Sequence, residues 1–281
     1  MKPISIFAIL FLTTQISLAQ KITCSAADKQ AFENKTIAID GLLEDDFGKT
    51  MVAVGKTFIG IPYVAKTLEI GKTESLVINL HGLDCTTYVE NVLAFSILLK
   101  DGKSDFDSFT NTLETIRYKN GNLDGYGSRL HYFTEWIRNN QQKGLLKDIT
   151  SEVGGVAIKK DINFMGTHRD LYPFLNDDSN FEKILATEVA LAKETFCYLP
   201  QDQIEANEHL IQTGDIIALT TSIKGLDVTH TGIATRESDG RIHLLHASTG
   251  SMQVEVSDLP LADYIKKIKN NTGIMVARPT S

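Results

Sequence analysis

A change of hydrophobic period near Asp215 constrains the fold of this chain more than any other feature. Before it, apolar residues recur at helical spacing: Val89, Val92, Leu93 and Leu99 after residue 84, then 106–118, then Leu130, Phe133 and Ile137 within 128–140. A further helix is expected from Ser179, where Ser179-Asn-Phe-Glu182 has the form of a capping box, to about Phe196. After Asp215 the pattern turns into short apolar runs at 216–220, 228–235, 241–247, 254–256 and 274–278, which read as strands. The stretch 153–172 is Gly-rich and aromatic without a period, so it reads as loop with short strands. The result is an α+β chain, with an N-terminal helical half packed on a C-terminal antiparallel sheet. A single domain over 20–281 is the simplest organisation, its core at about 50–100 and 205–278 and a central helical and loop insertion at about 101–204. No internal repeat, low-complexity tract or Pro-rich linker divides it.

The run His81-Gly-Leu-Asp-Cys85-Thr-Thr-Tyr-Val-Glu90 places one thiol where a helix begins. Asp84 is a good N-cap, Cys85 is then the first helical residue, and Gly102 can close the helix. Unpaired backbone amides and the positive end of the helix dipole face such a sulfur and favour thiolate, provided a nearby base or cation helps and the site is not wholly apolar. Most free cysteines are small buried apolar residues instead, and on this motif alone both readings stay open.

The strand-rich half offers a base. His230 sits near the start of one strand, and His243 and His246 lie on the return strand beyond the Asp239-Gly240 turn. With a two-residue turn, His243 shares the face of His230 but lies on the order of 20 Å away. With a three-residue loop or a bulge, His246 comes opposite Gly232 on the face of His230. An odd-length turn or a bulge is therefore expected. Cys85, His230 and His246 then form a set suited to thiol-based acyl transfer: nucleophile, general acid and base, and orienting group. The Cys85 backbone amide, with a side-chain donor such as Tyr63, would hold the oxyanion.

Residues 1–19 read as a secretory signal peptide: Lys2, then the apolar 4–12 stretch, then Ser17-Leu18-Ala19 as cleavage site. A periplasmic or secreted protein is expected, with no membrane span, since no later segment is long and uncharged enough. Of three cysteines, Cys24 and Cys197 could pair in an oxidising compartment and leave Cys85 free. The formal net charge of −7 argues against a nucleic-acid partner.

Phe58-Ile-Gly-Ile-Pro-Tyr63, Leu83-Asp-Cys85, Gly214-Asp215-Ile, His230-Thr-Gly-Ile and Leu245-His246-Ala resemble, in this order, the NlpC-type cell-wall cysteine peptidases. The longer strings Asp84-Cys-Thr-Thr-Tyr-Val-Glu90, Gly127-Ser-Arg-Leu-His-Tyr132 and Gly225-Leu-Asp-Val-Thr-His230 are similar to the N-acetylmuramoyl-L-alanine amidase-like branch of that superfamily. The resemblance spans roughly 50–278 and rests on the order and number of matches, each weak alone. It implies a permuted papain-like fold, a Cys-His-polar triad and hydrolysis of the amide between muramic acid, in its ordinary or anhydro form, and the L-Ala of a stem peptide. It also implies that Tyr63 stands beside the nucleophile. Thr86 replaces the serine usual after the superfamily cysteine.

Candidate substrate contacts are Tyr63, Asp84, Arg129, His131, Tyr132, His168 and Asp227, with Met165 and Tyr172 beside His168. Arg129, His131 and Tyr132 lie among aromatic residues, a mixture suited to carboxylate recognition and sugar stacking. The expected partner is a muropeptide, acted on by a monomer with no cofactor and no metal. Three competing readings remain: a D-Glu–diamino acid endopeptidase of the same superfamily, a zinc amidase drawing ligands from His81, His168, His230 and His246, and a non-catalytic muropeptide binder. The zinc reading lacks an HExxH pair and leaves Cys85 without a role.

Overall fold

The computed structural model describes residues 22–280, so the leader expected at 1–19 lies outside the described residues. Helices α1 (Ala26–Ile39), α2 (Phe47–Lys56), α3 (Cys85–Lys100), α4 (Phe106–Arg117) and α5 (Phe133–Gln142) make up most of the first half. Short α6 (Phe164–Thr167), α7 (Asp178–Leu191), short α8 (Ile204–Asn207) and α9 (Leu261–Lys266) follow. The strands are β1 (Ile22–Thr23), β2 (Leu76–Val77), β3 (Leu146–Asp148), β4 (Val156–Ile158), β5 (Phe196–Pro200), β6 (Ile216–Thr221), β7 (Val228–Arg236), β8 (Ile242–Ser248), β9 (Gln253–Val256) and β10 (Asn271–Pro279).

All the main-sheet pairings are antiparallel, in the order β4-β5-β10-β6-β7-β8-β9, with β3 also paired to β10. The last strand thus sits in the middle of the sheet. β1 and β2 form a separate parallel pair. This mixed α+β architecture agrees with the sequence pattern, with one correction. The segment expected as a helical and loop insertion supplies β3, β4 and β5 to the same sheet.

Both faces of the sheet are covered, which is why its strands read as continuous apolar runs. Every residue of β6 and β8 is buried. Ile216, Ala218, Ile233, Leu245 and Ala247 belong to one core with α2 and α3, while Ile217, Leu219, Ala234, Ile242 and Leu244 belong to a second with Leu261, Ala262 and Ile265 of α9. Helix α3 is buried on nearly all sides from Thr87 to Ser96 and packs on β7 and β8. Its one buried carboxylate, Glu90, accepts from Arg117 Nε at 2.7 Å and Trp136 Nε1 at 3.3 Å. Burial of that pair is tolerated because both charged groups are hydrogen-bonded.

Three helix boundaries differ from the sequence reading. Residues 129–132 are extended, with Leu130 N donating to Arg117 O, so α5 begins at Phe133 rather than near residue 128. Helix α7 is capped by Asp177, whose carboxylate accepts from the Ser179 and Asn180 amides, so Ser179 lies inside the helix. That helix ends at Leu191, and Phe196 starts β5 instead. Cys24 and Cys197 are free thiols, so the disulfide considered above is not formed.

Candidate active site

Cys85 is the first residue of α3 because Asp84 caps that helix. The Asp84 carboxylate accepts from the Thr87 amide and hydroxyl, both at 2.8 Å, while the Asp84 amide donates back to Thr87 Oγ1 at 2.9 Å. This capping box engages one carboxylate oxygen of Asp84 in fixing the start of the helix. The loop before it is pinned by Leu83 N donating to Pro62 O and Tyr63 N donating to Met252 O. Half-buried Tyr63 is thereby held beside the thiol. Its phenol is pushed up to about 12 by burial, then by the negative charges available at Cys85 and Asp84.

The β7–β8 hairpin has the odd-length loop that the histidine spacing requires. Arg236 pairs with Ile242, Glu237 N donates to Arg241 O, and Ser238-Asp239-Gly240 makes the turn, with Gly240 at φ +80°. Continuing the Ile233–Leu245 register brings His246 opposite Gly232. His230 Nε2 and His246 Nδ1 lie 2.6 Å apart, their rings at 88°. Gly232 makes this approach possible: a Cβ there would stand 2.8 Å from Leu244 and 2.9 Å from His246 Cβ.

Strand alternation separates His230 from its neighbour Thr231. His230 pairs with Leu219 and shares the α9 face, whereas Thr231 pairs with Ala218 and faces α3. Thr231 is the residue that meets the Cys85 sulfur, close enough to lower its pKa, while its own hydroxyl oxygen is buried with no hydrogen-bond partner among the described residues. Tyr264 of α9 joins the two sides. Its ring lies 5.3 Å from that of His246, and its phenol is raised by burial, then by the charges of Glu255 and Cys85. The thiol therefore lies at the end of the sheet where β7 starts. Cys85 and His230 are not hydrogen-bonded to each other in this structure.

The electrostatics correct one expectation. The helix terminus was expected to favour thiolate, but burial pushes the half-buried Cys85 up to about 11, and the Asp84 carboxylate adds to the rise. The nearby Thr231 and Thr86 act the other way and do not overcome it. Burial also brings His230 down to about 4, and burial with the neighbouring His230 brings His246 down to about 3. Burial thus disfavours the charged form of the thiol and of both imidazoles.

The other anticipated site residues are drawn into the surrounding framework. Arg129 is buried against Glu69 at 2.5 Å and Glu74 at 3.3 Å, stacked 4.9 Å from the Tyr126 ring centroid. His131 packs on Tyr126 and its Nε2 lies 2.9 Å from Tyr126 O. Tyr132 is buried, donating to Glu188 and accepting from Met165 N. Asp227 is buried with its carboxylate filled by the Thr134 and Val228 amides, each at 2.8 Å. His168 is exposed and stacks on Phe164. Met165 is buried and Tyr172 half-buried beside it. Among the described residues, no three His, Cys, Asp or Glu side chains gather as a metal-binding set. Thr231 and Gly232 went unassigned although they lie within the His230 motif, and Tyr264, on a one-and-a-half-turn helix after Pro260, carries no sequence signal.

These features sit in a chain with clear relatives. It belongs to the N-acetylmuramoyl-L-alanine amidase-like (AmiA-like) family, whose model matches residues 53–274. A crystal structure of an N-acetylmuramoyl-L-alanine amidase from Bacteroides uniformis is similar at 40% identity, with a TM-score of 0.80, covering 84% of this chain and 99% of that one. A Bacteroides fragilis structure described as a candidate xylanase is similar at 41% identity and a TM-score of 0.76, over 80% of this chain and 98% of that one. A Legionella pneumophila protein shares the fold at 22% identity, with a TM-score of 0.68 over 92% of this chain and 97% of that one. No match is found among curated proteins.

Proposed function

We propose that this protein is an exported cell-wall hydrolase that cleaves the amide between N-acetylmuramic acid, including its anhydro form, and the L-Ala of peptidoglycan stem peptides. Cys85 is the nucleophile, His230 the acid and base, and His246 the residue that orients His230. The reading is supported most by one observation: in an amidase-family chain, a helix-start cysteine lies against the residue that follows a buried histidine, and that histidine is hydrogen-bonded to a second one. We read the arrangement as a permuted papain-like, NlpC-type fold, in one domain over 20–281 that acts as a monomer in the periplasm or outside the cell.

A neutral pair suits this chemistry. His230 Nε2 is engaged by His246, so Nδ1 is the nitrogen that takes the thiol proton as sulfur attacks the lactyl carbonyl. The oxyanion is held by the Cys85 amide at the start of α3, with Tyr63 as a second donor. His230 then returns the proton to the departing L-Ala amine, leaving a thioester that water hydrolyses with His230 again acting as base. Proton transfer requires sulfur and imidazole to close the gap seen at rest, a tightening common when substrate fills a site. Cofactor chemistry has no part in this scheme.

Incubating the purified protein with defined muropeptides and weighing the products tests it. Release of an intact peptide with a free L-Ala amine is expected, with turnover lost in Cys85→Ala and after iodoacetamide treatment. A disaccharide still bearing L-Ala-D-Glu points instead to the endopeptidase. Activity lost only to chelator points to the zinc amidase, and equal turnover by Cys85→Ala to a non-nucleophilic Cys85. Sugar released from xylan with muropeptides left intact would overturn the amidase reading altogether.

A further inference from the structure

We propose that the aromatic ring of Tyr264 accepts the Nε2–H of His246 and so selects the tautomers that leave His230 Nδ1 bare. His246 is fully buried, and its Nε2 has no hydrogen-bond partner among the described residues. A buried ring nitrogen left unpaired is costly, and such cases call for a specific explanation. The aromatic side chain that meets this imidazole besides His230 is Tyr264, with centroids 5.3 Å apart and planes at 68°. Edge-to-face contact of this kind lets an N–H point into the negative face of an aromatic ring.

The two tautomers of His246 differ sharply in this setting. With the proton on Nδ1, His246 donates to His230 Nε2, and its own Nε2 becomes a bare lone pair facing a ring whose π cloud repels it. His230 must then carry its proton on Nδ1, and the nitrogen that serves as base is blocked. With the proton on Nε2, His246 offers a buried N–H to the ring and a lone pair at Nδ1. His230 donates from Nε2 across the 2.6 Å contact, and its Nδ1 is free. Tyr264 is on this account a positioning residue acting through two imidazoles. Gly232 supports it by letting His246 lie over β7 in the first place.

The tautomer assignment stands on geometry alone, whereas its effect on turnover rests on the proposed role of His230. Long-range proton–nitrogen NMR of the 15N-histidine-labelled protein at pH 7 reads both tautomers directly. The expected result is Nε2–H on His246 and on His230, with both Nδ1 atoms bare, and Nδ1–H on His246 overturns the proposal. Tyr264→Phe keeps the ring and is expected to keep this spectrum and wild-type kcat within about twofold. Tyr264→Leu removes the π face and is expected to give mixed tautomers and a kcat lower by roughly tenfold at unchanged KM, well short of the ~10⁴-fold seen when a catalytic histidine is wholly in the wrong tautomer. Equal losses in the two variants, or an unchanged spectrum in Tyr264→Leu, also overturn it. Should Tyr264→Leu fail to fold, the wild-type and Tyr264→Phe spectra still decide. Wild-type protein inactive on muropeptides, with the expected spectrum, sinks the proposed function and leaves the tautomer assignment standing.

Discussion

The two ends of the β7–β8 hairpin each hold buried histidine, and they use it in opposite ways. At the turn, His243 is enclosed by partners: its Nδ1 lies 2.7 Å from Ser257 O and its Nε2 3.1 Å from the Asp239 carboxylate. Burial alone lowers its pKa, but those two hydrogen bonds and the Asp239 charge outweigh burial and leave it raised. The same end is tied down by Arg241 on the Glu208 carboxylate and Arg236 on the Ile211 carbonyl. At the open end His230 and His246 are hydrogen-bonded to each other, with Glu255 opposite His246 on β9, and burial drives both down. One residue type, three positions apart on β8, is a clasp in one place and a neutral base assembly in the other. The difference lies in whether a carboxylate is hydrogen-bonded to the imidazole.

Replacement of His230 tests that contrast most severely. His230→Ala is expected to lower kcat/KM on muropeptides at least ~10³-fold, whereas His243→Ala leaves it within about twofold, so comparable losses in steady-state assays would erase the distinction. Gly232→Ala comes next. Its added methyl meets Leu244 and His246 at under 3 Å, and urea unfolding is expected to show a loss of about 1–3 kcal/mol together with reduced turnover. His243→Gln, which forfeits contacts at the turn, is expected to cost roughly 0.5–1.5 kcal/mol by the same measurement and to spare activity.

The smallest effect is on how stability varies with pH. The folded pKa values of His230 and His246 lie below the unfolded value of about 6.5, so the unfolded chain binds protons first and stability falls as pH drops from about 6.5 toward 4. His243 has the opposite sign. Its raised pKa contributes stability that is complete below the unfolded value and is lost as pH rises through the folded one. Unfolding curves should therefore keep the slope of the limb below about 6.5 in His243→Gln and lose the decline in stability that His243 causes above it, and a decline retained in that variant would contradict the assigned direction.

Much of the framework was legible in the chain because it depends on local rules. The Asp84 cap, the helical spacing after Cys85 and the short apolar runs past Asp215 each follow from neighbours in sequence. The odd loop at 238–240 followed from a distance argument, since it alone brings a second histidine to His230. Substrate contacts were harder to read, because charge in a sequence does not say what will face it. Arg129 invites a ligand until Glu69 and Glu74 arrive from 55–60 residues away. The thiol pKa was misjudged for a related reason. A helix terminus is visible in sequence, while the burial that outweighs it is assembled by β7 and by the loop holding Tyr63. Tyr264 escaped notice altogether, since its meeting with His246 exists only once α9 has docked on the far face of the sheet.

The placement of β10 between β5 and β6 has a temporal consequence. A strand drawn from 271–279 fills the middle of the sheet, so the layer that carries both histidines stays divided until that segment has emerged and threaded home. A polypeptide still being synthesised, or clipped ahead of residue 271, leaves β4 and β5 parted from the β6–β9 block on which the thiol and both imidazoles stand. Completion of the platform beneath the site is thereby tied to residues 271–279.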